Sequence, residues 1–118
     1  MLLPRILYDC PTTFWLDAHY YLGLNDPAGP QCPLREEIRA IAAFRWTTPP
    51  IILIDDACMF DDTVSPPSYG PFWDTWCAKE QGYRREDYPR IEEIDALLPG
   101  YVRSLRTPEV FMYQKYVD

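Results

Sequence analysis

The sequence predicts one α/β domain of order β-α-β-(lid)-α-β-β over residues 1–118, and three observations predict it. The run Ile51-Ile52-Leu53-Ile54 lacks polar alternation, so it reads as a central strand covered on both faces. Two stretches, PLREEIRAIAAF and YPRIEEIDALLPG, carry the apolar spacing of amphipathic helices. The apolar strands end in carboxylates: Asp17 after the first, Asp55 and Asp56 after the second.

Taken in order, Thr12 to Leu16 (TTFWL) is β-branched and aromatic, bounded by Pro11 and Asp17, and reads as the first strand. The stretch YYLGLNDPAGPQCP that follows is a loop by composition. The first helix opens at Pro33, a preferred first helical residue, and places Glu36 and Glu37 in the first turns, where the helix dipole favours negative charge. Its apolar face is Leu34, Ile38, Ile41 and Ala42. Trp46 to Pro50 then leads into the strand at 51–54, which makes a crossover unit with two parallel strands.

Residues 61–85 contain Pro66, Pro67, Gly70, Pro71 and Gly82 and read as an irregular lid or insertion, with a short helix around Trp73 to Lys79. The second helix has Pro89 near its start, Glu92 and Glu93 early, Ile91, Ile94, Leu97 and Leu98 on one face, and Pro99-Gly100 as its stop. Two strands close the chain, Tyr101 to Leu105 and Val110 to Tyr116, joined by a turn at Thr107-Pro108-Glu109 and therefore antiparallel neighbours.

Composition narrows the function classes. A net charge of -7 and no Lys/Arg cluster with interleaved aromatics argue against nucleic acid as a partner. No apolar run approaches the ~20 residues of a membrane span, and Pro4, Arg5 and Asp9 break any secretory signal pattern at the start. Cys10, Cys32, Cys58 and Cys77 are widely separated and the chain has one histidine, so no zinc ribbon or finger can be drawn. Reduced thiols in a cytoplasmic protein are the expected state.

Parallel strands side by side bring Asp17, Asp55 and Asp56 to one sheet edge, with His19 two residues beyond Asp17. Adjacent carboxylates repel one another and lose hydration there, so they call for a cation, a basic side chain or backbone amides. Three carboxylates suit Mg²⁺ or another hard divalent ion better than zinc. The competing reading is that Asp17 and Asp55 cap a loop or helix, and that His19 is a packed, hydrogen-bonded residue. Asp61 and Asp62 read as solvated loop residues, and Tyr69, Phe72, Trp73 and Trp76 either wall an apolar substrate pocket or form a small satellite core.

The motifs FWLDAHY, CPLREEIRAI, IILIDDACMF and YPRIEEIDALLPGY, in this order and spacing, resemble the C-terminal half of S-adenosylmethionine-dependent methyltransferases of the class I, Rossmann-like kind. The resemblance covers nearly the whole chain and implies a partial Rossmann-like sheet. That family orders its strands 3-2-1-4-5-7-6 with strand 7 antiparallel, and this chain would supply strands 4 to 7. Similar sugar O-methyltransferases of the macrocin type bind Mg²⁺ through an Asp after strand 4 and an Asp-Asp pair after strand 5, positions matched by Asp17, Asp55 and Asp56. The resemblance thus implies a metal that positions the hydroxyls of a sugar or other small-molecule substrate, with Asp17 and His19 as the catalytic pair and His19 as the base.

One departure is large. The family holds its cofactor on a G-x-G turn after strand 1 and an acidic residue after strand 2. The glycines here are Gly23, Gly29, Gly70, Gly82 and Gly100, none in a G-x-G, so the S-adenosylmethionine site is absent or incomplete. The expectation is either part of a longer enzyme or a stand-alone domain that kept the second half of the fold. Strand 4 of that family pairs with strand 1, so in these 118 residues by themselves the TTFWL strand is left as an apolar edge, which predicts a homo-oligomer, most simply a two-fold dimer through residues 12–16. The alternatives in other classes are a non-catalytic binding or assembly domain and a small metal-dependent hydrolase.

Overall fold

The computed structural model describes residues 11–17, 32–64, 85–107 and 109–116. His19, the aromatic segment 69–77, the expected helix at 73–79 and most of the lid lie outside these residues. The described chain is α/β, with two α-helices and a four-stranded mixed sheet. Strand β1 is Thr13–Leu16, helix α1 Leu34–Ala43, β2 Ile51–Ile54, helix α2 Ile91–Leu97, β3 Val102–Thr107 and β4 Val110–Gln114. Single 3₁₀ turns occupy Ala57–Met59 and Arg85–Asp87.

The sheet order is β1-β2-β4-β3. β1 and β2 are parallel, Thr13 beside Ile51 through Leu16 beside Ile54, and β4 runs antiparallel to both β2 and β3. Residues facing each other across a ladder share a face of the sheet. Phe14 and Leu16, Ile52 and Ile54, and Tyr113 and Phe111 therefore line one face, and all but the partly buried Phe14 are fully sequestered. They form the core with Leu34, Ile38 and Ile41 of α1 and with Ile91, Ile94 and Leu98 in and just after α2. Both helices thus bury their apolar stripes against the same side, as the 3.6-residue spacing requires. On the opposite face Trp15 pairs in register with Leu53, and Leu53 with Met112; Trp15 is 53% exposed.

Two polar bolts hold the helices in place. Arg35 of α1 forms an ion pair with Glu93 of α2, and its second terminal nitrogen donates to the other Glu93 carboxylate oxygen at 3.0 Å. In the second bolt, the Tyr113 hydroxyl donates to Asp95 Oδ1 at 2.6 Å, while Arg103 grips the same carboxylate through Nε at 3.0 Å and Nη2 at 3.2 Å. Burial, and then the neighbouring Asp95, push the Tyr113 phenol upward, so it stays a donor at every physiological pH.

Helix limits depart from the expected ones by a residue or so at α1 and at the end of α2, while at the start of α2 Tyr88, Pro89 and Arg90 precede the helix. β3 begins one residue later than expected and runs on to Thr107 through a register irregularity between Leu105 and Thr107. An extra residue in one strand lengthens it and swings its end. β4 stops at Gln114 and not at Tyr116. Among the described residues Cys32 and Cys58 are buried and not joined in a disulfide, and burial pushes the Cys32 thiol up to about 12, which makes it inert. No helix among these residues is long and apolar enough to cross a membrane.

Candidate functional site

The carboxyl ends of β1 and β2 meet at one edge of the sheet. The Asp55 N–H donates to the Leu16 carbonyl at 3.2 Å, which continues the parallel ladder one step beyond the strands and sets Asp17 beside the Asp55-Asp56 pair. One carboxylate oxygen from each of Asp17, Asp55 and Asp56 lies within 4.8 Å of the others. Asp17 is exposed and the other two are half-buried. The sequence therefore placed all three correctly at one edge; His19 falls outside the described residues.

The chain turns sharply after Asp55. Asp56 adopts φ 58 and ψ 50, the left-handed region that L-residues rarely enter and that Asp and Asn enter more readily than most. It stands at the head of the Ala57–Met59 turn but makes no side-chain capping hydrogen bond there. Its carbonyl accepts the Met59 N–H at 2.9 Å, and the Ala57 carbonyl accepts the N–H groups of Phe60 and Asp61 at 3.0 and 3.1 Å. Two further carbonyls tie the turn to α2: Met59 accepts from the Arg90 guanidinium, and Phe60 accepts the Ile91 N–H at 2.8 Å. Ala57, Cys58, Met59 and Phe60 are all buried, so the apolar tail of IILIDDACMF is the plug that pins the acidic pair to the sheet edge.

The β3–β4 turn closes the site from the other side. The Glu109 carbonyl accepts the Ala57 N–H at 2.9 Å, while the Glu109 N–H donates to Thr107 Oγ1 at 3.0 Å. Glu109 is a fourth acidic contributor that sequence reading missed, because only the register of β4 against β2 brings it here. Burial, and then the charges of Asp55, Asp17 and Glu109, push the Asp56 carboxyl up to about 7 from its ordinary value near 3.8. Like charge and lost hydration act in the same direction, and both are relieved by a proton or a cation.

Asp61 and Asp62 lie in a loop as expected, Asp62 exposed and Asp61 half-buried, and both make surface bonds. Asp61 Oδ1 accepts the Thr63 N–H at 2.9 Å and the Thr63 hydroxyl at 2.7 Å, a local Asx turn, and Asp62 pairs with Arg90 at 3.3 Å. Asp61, Val64, Arg103, Leu105 and Phe111 line an open cleft of about 520 Å³. Phe111 pairs with Ile54, the last residue of β2, so the cleft reaches the same end of the sheet as the carboxylates. Glu37, in the first turn of α1, has an Oε1 atom with no hydrogen-bond partner among the described residues, and burial, then Glu36, raises its carboxyl.

Three carboxylates at this spacing could hold a hard divalent ion, which takes carboxylate oxygens and keeps water in its remaining positions. Comparison of the chain with protein-family models, with curated proteins and with solved structures found no match.

Proposed function

We propose that this chain is the metal- and acceptor-binding half of a methyltransferase-like fold, acting in O-methyl transfer to a sugar or small metabolite. The observation that carries the reading is the convergence of Asp17, Asp55 and Asp56 on one point at the carboxyl edge of a parallel strand pair. That edge is where open α/β sheets bind ligands. The order β1-β2-β4-β3, with an antiparallel strand set inside the sheet, supports the reading too, since it equals the 4-5-7-6 order the resemblance implies.

Asp17, Asp55 and Asp56 would hold the ion, and Asp56 would give up its proton as the ion arrives. The ion, when bound, would polarise and orient the vicinal hydroxyls of an acceptor. His19, two residues beyond Asp17, is the proposed base, and the neighbouring cleft has the volume of a metabolite-sized pocket. The residues present do not fit S-adenosylmethionine: no G-x-G turn occurs among them, so no step is assigned here to the cofactor. The reading also keeps a homodimer through β1, which stands at one side of the sheet without a charge or proline in its four residues. A clean monomer in gel filtration at micromolar concentration would remove the dimer.

Calorimetric titration with Mg²⁺ tests the metal. The wild type is expected to bind one ion, and Asp17→Ala and Asp55→Ala each to lose at least about ten-fold in affinity while keeping the wild-type circular dichroism spectrum. Unfolding of either variant with no metal bound by the wild type would mean that these carboxylates serve only as caps. Adding S-adenosylmethionine with and without Mg²⁺ then separates a metal-and-acceptor half, which ignores it, from a chain that rebuilds a cofactor pocket.

A further inference from the structure

A second cavity lies at the opposite end of the sheet, where β2 begins and both helices end. It has a volume of about 170 Å³ and is walled by Phe44, Trp46, Pro49, Leu98, Tyr101 and Lys115 among others. Phe44 and Trp46 touch with ring centroids 4.5 Å apart and their planes tilted by 53°, and Trp46 meets Phe14 edge-on at 5.8 Å. The Trp46 indole N–H donates to the Ile41 carbonyl at 2.8 Å, which locks the ring. On the far wall the Lys115 ammonium sits 5.9 Å over the Tyr101 ring. Its stem passes over Gly100, where a Cβ would come 3.2 Å from Lys115 Cε, so the glycine makes room for the lysine.

The polar groups of this cavity are an exposed ammonium and a half-buried phenol. Lys115 has no carboxylate partner among the described residues, and the Tyr101 hydroxyl has no hydrogen-bond partner among them. No acidic side chain lines the space. Two carbonyls at the helix ends are already engaged, Ile41 by the Phe44 N–H and the Trp46 indole and, just past α2, Leu98 by the Tyr101 N–H. Two aromatic rings on one wall, facing an ammonium and a phenol on the other, match a small aromatic body that carries one anionic, acceptor-only group.

We propose that this cavity binds a small aromatic carboxylate, with its ring on Phe44 and Trp46 and its carboxylate between Lys115 Nζ and the Tyr101 hydroxyl. A cavity of about 150 Å³ is known to hold one six-membered ring, so one ring with its carboxylate fits the space and a nucleotide does not. The site is independent of the acidic edge, and neither reading depends on the other.

The test is amide and indole NMR of the ¹⁵N-labelled 118-residue protein titrated with benzoate, with benzyl alcohol and benzylamine as neutral and cationic counterparts. Benzoate is expected to shift the Gly100, Tyr101 and Lys115 amides and the Trp46 indole N–H, with a Kd on the order of a millimolar for so small a ligand. Lys115→Gln should weaken it about five-fold or more, Lys115→Arg should retain it, and Tyr101→Phe should weaken it about three-fold. Shifts confined to other residues, none up to about 20 mM, equal or tighter binding of benzyl alcohol or benzylamine, or unchanged affinity in Lys115→Gln would each overturn the assignment.

Discussion

The two ends of the sheet are built on opposite electrostatic terms. At the carboxyl end three aspartates and Glu109 crowd one another, and Asp56 holds a strained left-handed backbone to join them. At the amino end the walls are aromatic, and the left-handed position at φ 83 is filled by Gly100, which adopts it without strain. A chain selected for stability alone would treat both ends like the second. The contrast teaches that lost hydration and like charge accumulate at the acidic end, where a proton or a cation would relieve them.

Paired substitutions sharpen the contrast by giving opposite signs. Trp46→Ala removes the wall at the amino end together with its hydrogen bond to Ile41, and should cost about 2–4 kcal/mol in urea unfolding. Asp56→Asn at the other end should stabilise the metal-free protein at pH 8 by about 1–2 kcal/mol, less than the full linkage because the group keeps contact with water. Asn accepts the left-handed backbone as well as Asp does, so the gain reports charge. It should also vanish on acidification. The native Asp56 carboxyl holds its proton up to about 7, whereas the unfolded chain releases it near 3.8. The native state therefore binds more protons between those values, and this contribution to stability is full below pH 4 and is lost as pH rises through 7. Asp56→Asn should flatten that slope; an unchanged pH profile would mean that Asp56 is not the group responsible.

The smallest effects belong to the two left-handed residues. Gly100→Ala forces an L-side chain into φ 83 and against Lys115, and should cost about 1–2 kcal/mol in thermal unfolding. Asp56→Gly compared with Asp56→Asn removes only backbone strain and should gain less than about 1 kcal/mol. If Gly100→Ala were neutral, the close approach of Lys115 would not be part of the amino-end wall.

Much of the fold was legible because its signals are local. Four consecutive apolar β-formers declare β2, and Pro-Glu-Glu with apolar spacing declares both helices, each by chemistry confined to about ten residues. The meeting of Asp17 with Asp55 and Asp56 was legible as well, since it needs only two parallel strands in register. The turn at Ala57–Met59 was not, because it depends on Asp56 entering a backbone region that any sequence rule assigns first to glycine. Glu109 was invisible for a different reason: its approach is set by the β4 register. The same holds for the aromatic cavity, whose walls come from the α1–β2 connection, the stop of α2 and the end of β4. The far end of β3 escaped because its bulge follows from pairing with β4.

The central claim, that the acidic end is a divalent-ion site, is tested most directly by adding substoichiometric Mn²⁺ to the ¹⁵N-labelled protein and reading which amide signals broaden. The account predicts selective loss of Asp17, Asp55, Asp56, Ala57 and Glu109, with Gly100, Tyr101 and Lys115 at the other end left sharp, and recovery of all of them in Asp55→Ala. Broadening centred on other surface carboxylates such as Glu86 or Glu92, or the same pattern in Asp55→Ala, would contradict it.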